Sequence, residues 1–244
     1  MPLKTTINYS PNFNIKKRKK NSIRFLIFHY TGMRNEKDAI KRLINIQSEV
    51  STHYFISKKG KIITMVPDLY IAWHAGTSAW KSFKLLNSNS IGIEISNPGH
   101  EFGYKRFSKK QINSLVKLCR FLIKKYKIKK ENILGHSDIA PKRKKDPGEK
   151  FPWKFLASKK ISIWHGLSNK KLKRVRNMRC SKNSEKEFLK NLKKFGYSIN
   201  STVKIKKSTS TKFIIKAFQR RFRPELINGI IDEECLQISK IIVK

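Results

Sequence analysis

The sequence predicts an α/β (α+β) protein, with a central mixed β-sheet flanked by helices and a small C-terminal three-helix domain. Two observations predict the sheet and its helices. Short apolar runs alternate with segments of helical periodicity, and the first run, residues 23–30, is almost continuously apolar, as in a strand buried on both faces. A third observation predicts the added domain, since three helix patterns follow one another after residue 184.

Length and composition set the number of domains. The 244 residues can hold one good-sized domain and a small one, and a hydrophobic content of 39% is enough for a packed core and excludes wholesale disorder. We divide the chain into a basic N-terminal arm (1–22), a main domain (23–157), a linker with one short helix (158–184) and a helical domain (185–244). The arm is expected to lie extended on the surface of the main domain.

The first half of the main domain predicts a strand, a helix and a hairpin. Residues 23–30 are nearly all apolar and predict a buried strand. Residues 36–47 carry apolar side chains mostly at helical spacing. Residues 52–57 and 61–66 are separated by Lys-Lys-Gly and predict a β-hairpin.

The second half predicts two strands around the clearest helix of the chain. Residues 91–96 predict a strand ended by an Asn-Pro-Gly turn, and residues 132–134 predict another. Between them, residues 108–126 carry one apolar stripe at helical spacing, and Ser108 with Gln111 predicts a capping box at the start of this helix.

Three shorter helices are predicted in the C-terminal domain. Residues 185–195 predict a helix that Gly196 stops, and residues 213–222 predict a second, with a proline just past its end. Residues 232–242 predict a third, and its first residue, an aspartate, is placed to cap it.

The charge of the chain is extreme, with 56 Lys+Arg against 16 Asp+Glu and a formal net charge of +40. Such a balance attracts polyanions, whether nucleic acid, acidic lipid surfaces or an anionic cell-wall polymer. The charge is spread along the chain, however, and Lys, Ile, Asn and Phe are abundant together, as expected of an AT-rich coding sequence. No helix-turn-helix, zinc finger or aromatic stacking motif accompanies it, so no specific nucleic-acid partner is predicted.

The cysteines and the N-terminus bear on the compartment. Cys119, Cys180 and Cys235 lie far apart without a CxxC pair, which argues against a disulfide framework, and Cys119 is expected to be a buried free thiol. The N-terminus has no apolar signal region, and no stretch is long enough to span a membrane. The sequence therefore predicts a cytoplasmic protein, or a periplasmic or outer-membrane-associated one if a targeting segment is missing.

Two histidines and an aspartate form a candidate metal site. His29 ends the first buried strand, and His136 directly follows the strand that ends at Gly135. Asp146 comes ten residues after His136, on a loop braced by Pro-Gly. Two imidazoles and a carboxylate suit zinc and leave its fourth position for a reactive water. Spacing alone leaves open that each histidine is an ordinary core or surface residue.

Five motifs follow one another along residues 23–153: HYT after an apolar strand, then WHAG, GIEISNPG, GHSDIAP and DPGEKFPW. Together they resemble the zinc-dependent N-acetylmuramoyl-L-alanine amidases of the type-2 amidase family, which also includes phage T7-lysozyme-like enzymes. The similarity is greatest to the AmiD-like branch. Each motif alone is a weak signal, and the fixed order of all five makes the resemblance specific.

The resemblance implies one zinc ion per chain, held by His29, His136 and Asp146. It implies that Glu94, in GIEISNPG, is the catalytic acid and base, and that Lys144, two residues before the aspartate ligand, is the catalytic lysine. From the residues alone, Glu94 could also be a surface carboxylate on a strand edge.

Several neighbouring residues carry further expectations. Lys145, which follows Lys144 in a run of four basic residues, stays an alternative catalytic lysine. Thr52 stands where T7-like enzymes use a tyrosine, which assigns proton transfer to the glutamate instead. Trp73, His74 and Asn97 are expected to bind substrate, and a structural role is the alternative for the first two. His53 and His100 receive no role, and His165 is expected to be solvated in the linker.

The resemblance also implies the reaction: hydrolysis of the amide bond between the lactoyl group of N-acetylmuramic acid and L-alanine, in peptidoglycan or soluble muropeptides, for cell-wall turnover or recycling. The alternative is a non-catalytic peptidoglycan-recognition protein, since such relatives keep the fold and lose ligands. FIIKAFQRRFRP followed by INGIID resembles a three-helix peptidoglycan-binding module, with a purely structural helical appendage as the alternative.

Overall fold

A six-stranded mixed sheet forms the centre of the protein in a computed structural model, which describes residues 3–199 and 209–244. In chain order, the strands of this part of the chain are β1 (Thr6–Ile7), β2 (Phe13–Asn14), β3 (Phe25–Tyr30), β4 (Tyr54–Ile56), β5 (Ile62–Thr64), β6 (Ile71–Ala72), β7 (Ala79–Trp80), β8 (Phe83–Lys84), β9 (Ser90–Ile95) and β10 (Ile133–Gly135). The central sheet has the order β1-β5-β4-β9-β3-β10, while β2 pairs with β6 and β7 with β8.

Eight α-helices surround or follow the sheet in the described ranges. They are α1 (Glu36–Ile44), α2 (Lys109–Tyr126), α3 (His136–Ile139), α4 (Trp153–Ser158), α5 (Asn169–Val175), α6 (Lys182–Phe195), α7 (Thr209–Phe222) and α8 (Glu233–Ile242). The mixed sheet flanked by helices confirms the predicted fold class. Among the described residues, no helix combines the length and the hydropathy that crossing a membrane requires.

Parallel pairing at the middle of the sheet positions the candidate site. Strand β3 pairs in parallel with β9, which sets His29 beside Glu94, and with β10, which sets Phe28 beside Gly135. Because parallel strands end at the same edge of a sheet, a side chain near the end of β3 and one that directly follows β10 meet there. The hairpin predicted from residues 52–66 is confirmed as the antiparallel pair β4 and β5.

Helix α2 covers one face of the sheet as its apolar stripe predicts. Leu115, Leu118 and Leu122 are fully buried and pack in one cluster with Phe28 of β3. The predicted capping box is present, since the Ser108 hydroxyl accepts from the backbone of the third helical residue and that residue's glutamine side chain accepts from Ser108. Buried in the same cluster, the one cysteine of this helix is a free thiol, as predicted.

Helix α1 ends three residues before its predicted end. Asn45 has extended backbone angles (φ −79°, ψ 122°), and its side chain accepts a hydrogen bond from the amide of Gln47. Asparagine competes with the helix for backbone hydrogen bonds, so the apolar Ile46 falls outside the helix although its spacing fits. Ile46 is accordingly exposed.

The N-terminal arm is extended as predicted, but it is part of the sheet and not only laid on the surface. Strand β1 pairs in parallel with β5 at the sheet edge, and β2 pairs with β6. Arg18 then enters the protein, where its buried guanidinium donates to the backbone carbonyls of Asp68, Asn87 and Ser90. The arm thereby ties together loops that lie beside the site.

The C-terminal helices pack against the main domain. Phe188 of α6 and Phe218 of α7 share one buried apolar cluster with Phe25 and Ile27 of β3. Helix α6 begins before its predicted start because Ser181 caps it, accepting from the amide of Ser184.

Helix α7 begins four residues before its predicted start at residue 213. Asp232 caps α8 as predicted, since its side chain accepts from the amide of Cys235. In the predicted linker, α5 is the short helix. His165 is not solvated as expected: it is 5% exposed, and burial lowers its pKa to about 4.

Candidate metal and active site

Three buried side chains converge at the edge where β3 and β10 end. His29 is the fifth residue of β3, and His136 opens the short helix α3 directly after β10. Their Nδ1 atoms lie 3.0 Å apart, and Oδ2 of Asp146 lies 3.0 Å from the first and 3.1 Å from the second. Three donor atoms within 4.8 Å of one another can hold a metal ion.

The loop that carries Asp146 is fixed on several sides. Its backbone carbonyl accepts from the amide of Ser137 at 2.8 Å. The next carbonyl, of Pro147, accepts from the hydroxyl of Tyr104 at 2.6 Å. Gly148 has a positive φ of 86°, and a Cβ there would lie 2.3 Å from the same hydroxyl, so the turn requires glycine. The aspartate therefore stands on a rigid support.

The electrostatics of the three residues suit a cation. Burial lowers the pKa of His29 to about 4, with the neighbouring His136 adding to the effect and Asp146 opposing it. Burial would raise the pKa of Asp146, but the two histidines outweigh it and hold this pKa well below its usual range. A neutral imidazole and an ionised carboxylate are the forms in which these side chains bind zinc, so the residues present fit the metal.

Glu94 lies next to this cluster on β9. Its Oε2 atom is buried and has no hydrogen-bond partner among the described residues. Burial raises the pKa of Glu94 to about 8, the charge of Asp146 adds to the rise, and Lys144 opposes it. A carboxyl group with a free oxygen and a pKa near neutrality can exchange a proton with a bound molecule.

The two candidate lysines differ in burial. Both lie on the wall of a cavity of about 360 Å³ above the cluster. Lys144 is half-buried and its charge affects the pKa of both Glu94 and His29, whereas Lys145 is exposed. The geometry therefore favours Lys144, although the assignment itself stays a prediction.

The three expected substrate-binding residues have different positions. Trp73 and His74 lie on the cavity wall. The indole nitrogen of Trp73 donates to Asn14 of the N-terminal arm at 2.6 Å, and the ring of His74 is buried behind His29. Asn97 is outside this wall.

Asn97 instead supports a turn. Its amide donates to the carbonyl of Lys105 at 2.8 Å, and its side-chain oxygen accepts from Gly99 at 3.1 Å. Thr52, which stands at the tyrosine position of T7-like enzymes, is fully buried and donates to the carbonyl of Gly92. The side chains of Asn97 and Thr52 thus stabilise the backbone of β9 and of the turn that follows it.

Two further residues at the site, Arg143 and His100, have no role predicted from the sequence. Arg143 lies on the cavity wall and donates to the carbonyls of Ala75 and Thr77 at 2.9 and 2.7 Å, which ties the loop after α3 to the segment around the WHAG motif. His100, also on the wall, forms hydrogen bonds with Tyr30 and Glu149. No local signal separates Arg143 from its basic neighbours, because its partners are more than sixty residues away.

Known proteins are similar to this chain in sequence and in fold. A family model described as N-acetylmuramoyl-L-alanine amidase matches residues 19–149, more than half of the chain. The N-acetylmuramoyl-L-alanine amidase AmiD of Escherichia coli K12 is 32% identical over 234 residues, which are 91% of this chain and 83% of that protein. The 1,6-anhydro-N-acetylmuramyl-L-alanine amidase AmpD of Haemophilus influenzae is 40% identical over 116 residues, 47% of this chain and 61% of that protein.

Solved structures agree over almost the whole chain. E. coli AmiD, in complex with anhydro-N-acetylmuramic acid-L-Ala-D-γ-Glu-L-Lys, superposes with a TM-score of 0.77 at 32% identity and covers 94% of this chain and 91% of its own. AmpDh3 of Pseudomonas aeruginosa superposes with a TM-score of 0.77 at 30% identity and 98% coverage of both chains. The family match ends at residue 149, so the binding module at the C-terminus stays a prediction. On the matched residues and the shared fold, the chain belongs to the N-acetylmuramoyl-L-alanine amidase family.

Proposed function

We propose that this amidase cleaves the amide bond between the lactoyl group of N-acetylmuramic acid and L-alanine, with a zinc ion held by His29, His136 and Asp146. The observation that carries the proposal is the convergence of these three donor atoms below a cavity that Glu94 and Lys144 also line. When bound there, zinc supplies a Lewis acid that polarises the amide carbonyl and lowers the pKa of water from about 15.7 to about 7 in the best-known case.

Glu94 carries the proton in this reaction. Its free Oε2 accepts a proton from the attacking water and later gives it to the departing alanine nitrogen, which cannot leave as an anion. The raised pKa of about 8 suits the second half of this cycle, when Glu94 acts as an acid. A cation in the neighbouring site favours the carboxylate form and so prepares Glu94 for the first half.

Lys144 stabilises the oxyanion that forms when the carbonyl is attacked. Its half-buried position keeps the ammonium close enough to affect the pKa of both Glu94 and His29. A single well-placed donor to an oxyanion is worth about 3 kcal/mol in the transition state. The exposed Lys145 is held less closely and is expected to contribute little.

The proposed substrate is peptidoglycan or a soluble muropeptide. Two solved relatives, AmiD and AmpDh3, are in complex with anhydro-N-acetylmuramic acid-L-Ala-D-γ-Glu-L-Lys and with an anhydromuramic pentapeptide. In this chain the cavity wall carries Arg42, Arg143 and Lys145, whose positive charges suit the carboxylates of a stem peptide. Intact wall and soluble fragments share the scissile bond, so the proposal covers turnover and recycling.

The non-catalytic alternative predicts a different site. A recognition protein binds the same ligand but needs neither the metal-binding residues nor a proton carrier. Here His29, His136 and Asp146 converge, and Glu94 keeps a buried oxygen that has no hydrogen-bond partner in the part of the chain that the structure describes. A buried polar atom without a partner is costly, and its retention favours a catalytic role.

Product analysis by mass spectrometry tests the proposal. Purified muropeptides are incubated with the zinc-loaded protein, with the Glu94→Gln variant and with Glu49→Gln, an exposed glutamate that serves as the matched control. We expect release of stem peptide beginning with L-alanine by the wild type and the control, and its loss with a chelator or in Glu94→Gln. Zinc binding without any peptide release would support the recognition protein instead.

A further inference from the structure

A chain of hydrogen bonds runs from the back of His29 into the protein. Its Nε2 atom lies 3.1 Å from Nδ1 of His74. Nε2 of His74 lies 3.2 Å from the hydroxyl of Ser90, which donates at 2.6 Å to the backbone carbonyl of Leu86. His29, His74 and Ser90 are all buried, so water does not compete for these contacts.

The hydrogen bond from Ser90 to Leu86 determines which atom donates and which accepts in each of the other hydrogen bonds of this network. A carbonyl oxygen only accepts, so the single proton of Ser90 goes to Leu86, and its oxygen must accept from His74. His74 therefore carries its proton on Nε2 and accepts on Nδ1, since a neutral imidazole has one donor and one acceptor. His29 in turn donates from Nε2. Its Nδ1 lone pair is left facing Asp146 and His136.

The tautomer of His136 is fixed in the same way by Ala75, the residue that follows His74. Its Nε2 atom lies 3.1 Å from the backbone carbonyl of Ala75, which only accepts. The proton of His136 is therefore on Nε2, and its Nδ1 lone pair also faces Asp146. Two consecutive residues, His74 and Ala75, thus determine the tautomers of both histidines.

The structure holds these two residues firmly in place. The side-chain oxygen of Asn87 accepts from the backbone amides of His74 at 3.1 Å and Ala75 at 2.7 Å. The ring of His74 lies directly against Gly92 of β9, where a Cβ would come within 2.4 Å of its Cγ. Any larger residue at position 92 would push the ring away from Ser90.

We infer that His74 and Ala75 are positioning residues that hold His29 and His136 in the tautomer whose Nδ1 lone pairs can bind zinc. The inference rests on the zinc site proposed above and assigns His74 a role behind that site. Both ring nitrogens of His74 are used by His29 and Ser90, so neither is free for a substrate. Partners of this kind commonly change metal affinity about 10- to 100-fold.

Two substitutions of His74 separate this role from simple packing. Asparagine places an amide oxygen near the position of Nδ1 and can still accept from His29, whereas leucine fills the space without an acceptor. We expect His74→Leu to weaken zinc binding about 10- to 100-fold and His74→Asn to stay within about threefold of the wild type. Zinc Kd is measured by competition with a chromophoric chelator, and circular dichroism checks that each variant is folded.

Each outcome bears on a separate claim. Wild-type protein that binds no zinc would overturn the proposed metal site itself. Wild-type protein that binds zinc no more tightly than His74→Leu would overturn only the positioning role. Equal weakening in the leucine and asparagine variants would also overturn it, because the acceptor at Nδ1 would then have no effect.

A second measurement uses the wild-type protein and therefore does not require that any variant folds. Long-range ¹H–¹⁵N spectra of the zinc-loaded protein report which ring nitrogen of each histidine carries the proton. We expect Nε2 protonation for His29, His74 and His136. Protonation of His74 on Nδ1 would reverse the hydrogen bonds that His74 makes with His29 and Ser90, and it would contradict the inference.

Discussion

At the scale of single residues, Glu94 is a carboxyl group on the cavity wall whose pKa is strongly raised. Its folded-state pKa of about 8 lies above its ordinary value of 4.5, so the folded protein holds this proton more tightly than the unfolded chain. In the metal-free protein, the contribution of protonated Glu94 to stability is therefore complete below about pH 4.5 and is lost as the pH rises through about 8. The unpaired Oε2 of Glu94 suits catalysis, but its ionisation in a buried position lowers the stability of the folded protein.

Glu94→Gln removes this loss, because glutamine stays neutral at every pH. We expect the metal-free variant and the wild type to have similar Tm values at pH 5 and the variant to melt several degrees higher at pH 8.5. Thermal unfolding in the presence of a chelator, across this pH range, measures the difference. A difference that is constant with pH would show that ionisation of Glu94 is not its cause.

The two adjacent lysines provide an internal comparison. Lys144→Met removes the half-buried ammonium, and we expect kcat to fall about 10²- to 10³-fold with little change in KM, because the charge acts on the oxyanion and not on the ground state. Lys145→Met is expected to keep kcat within about threefold of the wild type, as exposed charges contribute little. Steady-state kinetics on one muropeptide measures both. A larger loss in Lys145→Met would reassign the catalytic lysine.

At the scale of elements, the loop after α3 is held by a side chain from a distant segment. The hydroxyl of Tyr104 donates to Pro147, accepts from the amide of Lys150 and packs on Gly148. This one hydroxyl therefore fixes the turn that directly follows Asp146. Its contribution is to the rigidity of the metal site as much as to the fold.

Tyr104→Phe removes that hydroxyl and leaves a buried carbonyl without its partner, at a cost of about 1–3 kcal/mol in the free energy of unfolding. We also expect weaker zinc binding. Tyr126→Phe is the matched control: its hydroxyl is likewise buried, but it donates to Asp68 and not to the turn after Asp146. Denaturant unfolding and zinc competition on both variants test this. If Tyr104→Phe binds zinc as tightly as the wild type, the Tyr104 hydroxyl stabilises the loop but does not affect the metal site.

At the scale of the whole molecule, the C-terminal helices are joined to the main domain by a buried polar contact as well as by the apolar core. Arg221 of α7 donates to Asp138 at 2.7 Å and to the carbonyl of Ile133 at 3.0 Å, and its guanidinium lies 4.3 Å from the ring centre of Trp153. Tyr197 donates to the other oxygen of Asp138. Asp138 lies in the same short helix as His136, so α7 supports the helix that carries a candidate metal ligand.

Arg221→Met leaves Asp138 charged and buried without its main partner. We expect a loss of about 3–5 kcal/mol in the free energy of unfolding, and partial recovery when Asp138→Leu is added, because the unpaired charge is then removed. Arg174→Met, at an exposed arginine of α5, is the control and should change stability by at most about 0.5 kcal/mol. Urea unfolding measures all four proteins. A small loss in Arg221→Met would indicate that the helices are only loosely attached.

Sequence alone determined the identity of most elements, because helix and strand periodicity and capping are local properties. The stripe of α2 and the caps at Ser108 and Asp232 were therefore predictable. The resemblance, not the spacing, selected His29, His136 and Asp146, and the structure brings these three together.

Only the tertiary structure decided which distant residues complete the site. Arg18 from the N-terminal arm, the hydrogen bonds from His74 to Ser90, and Arg221 against Asp138 join segments that carry no shared local pattern. The burial of Arg18 and His165 was missed for the same reason. A side chain is buried by what packs over it, and that choice depends on strand pairing and helix packing between segments far apart in the chain.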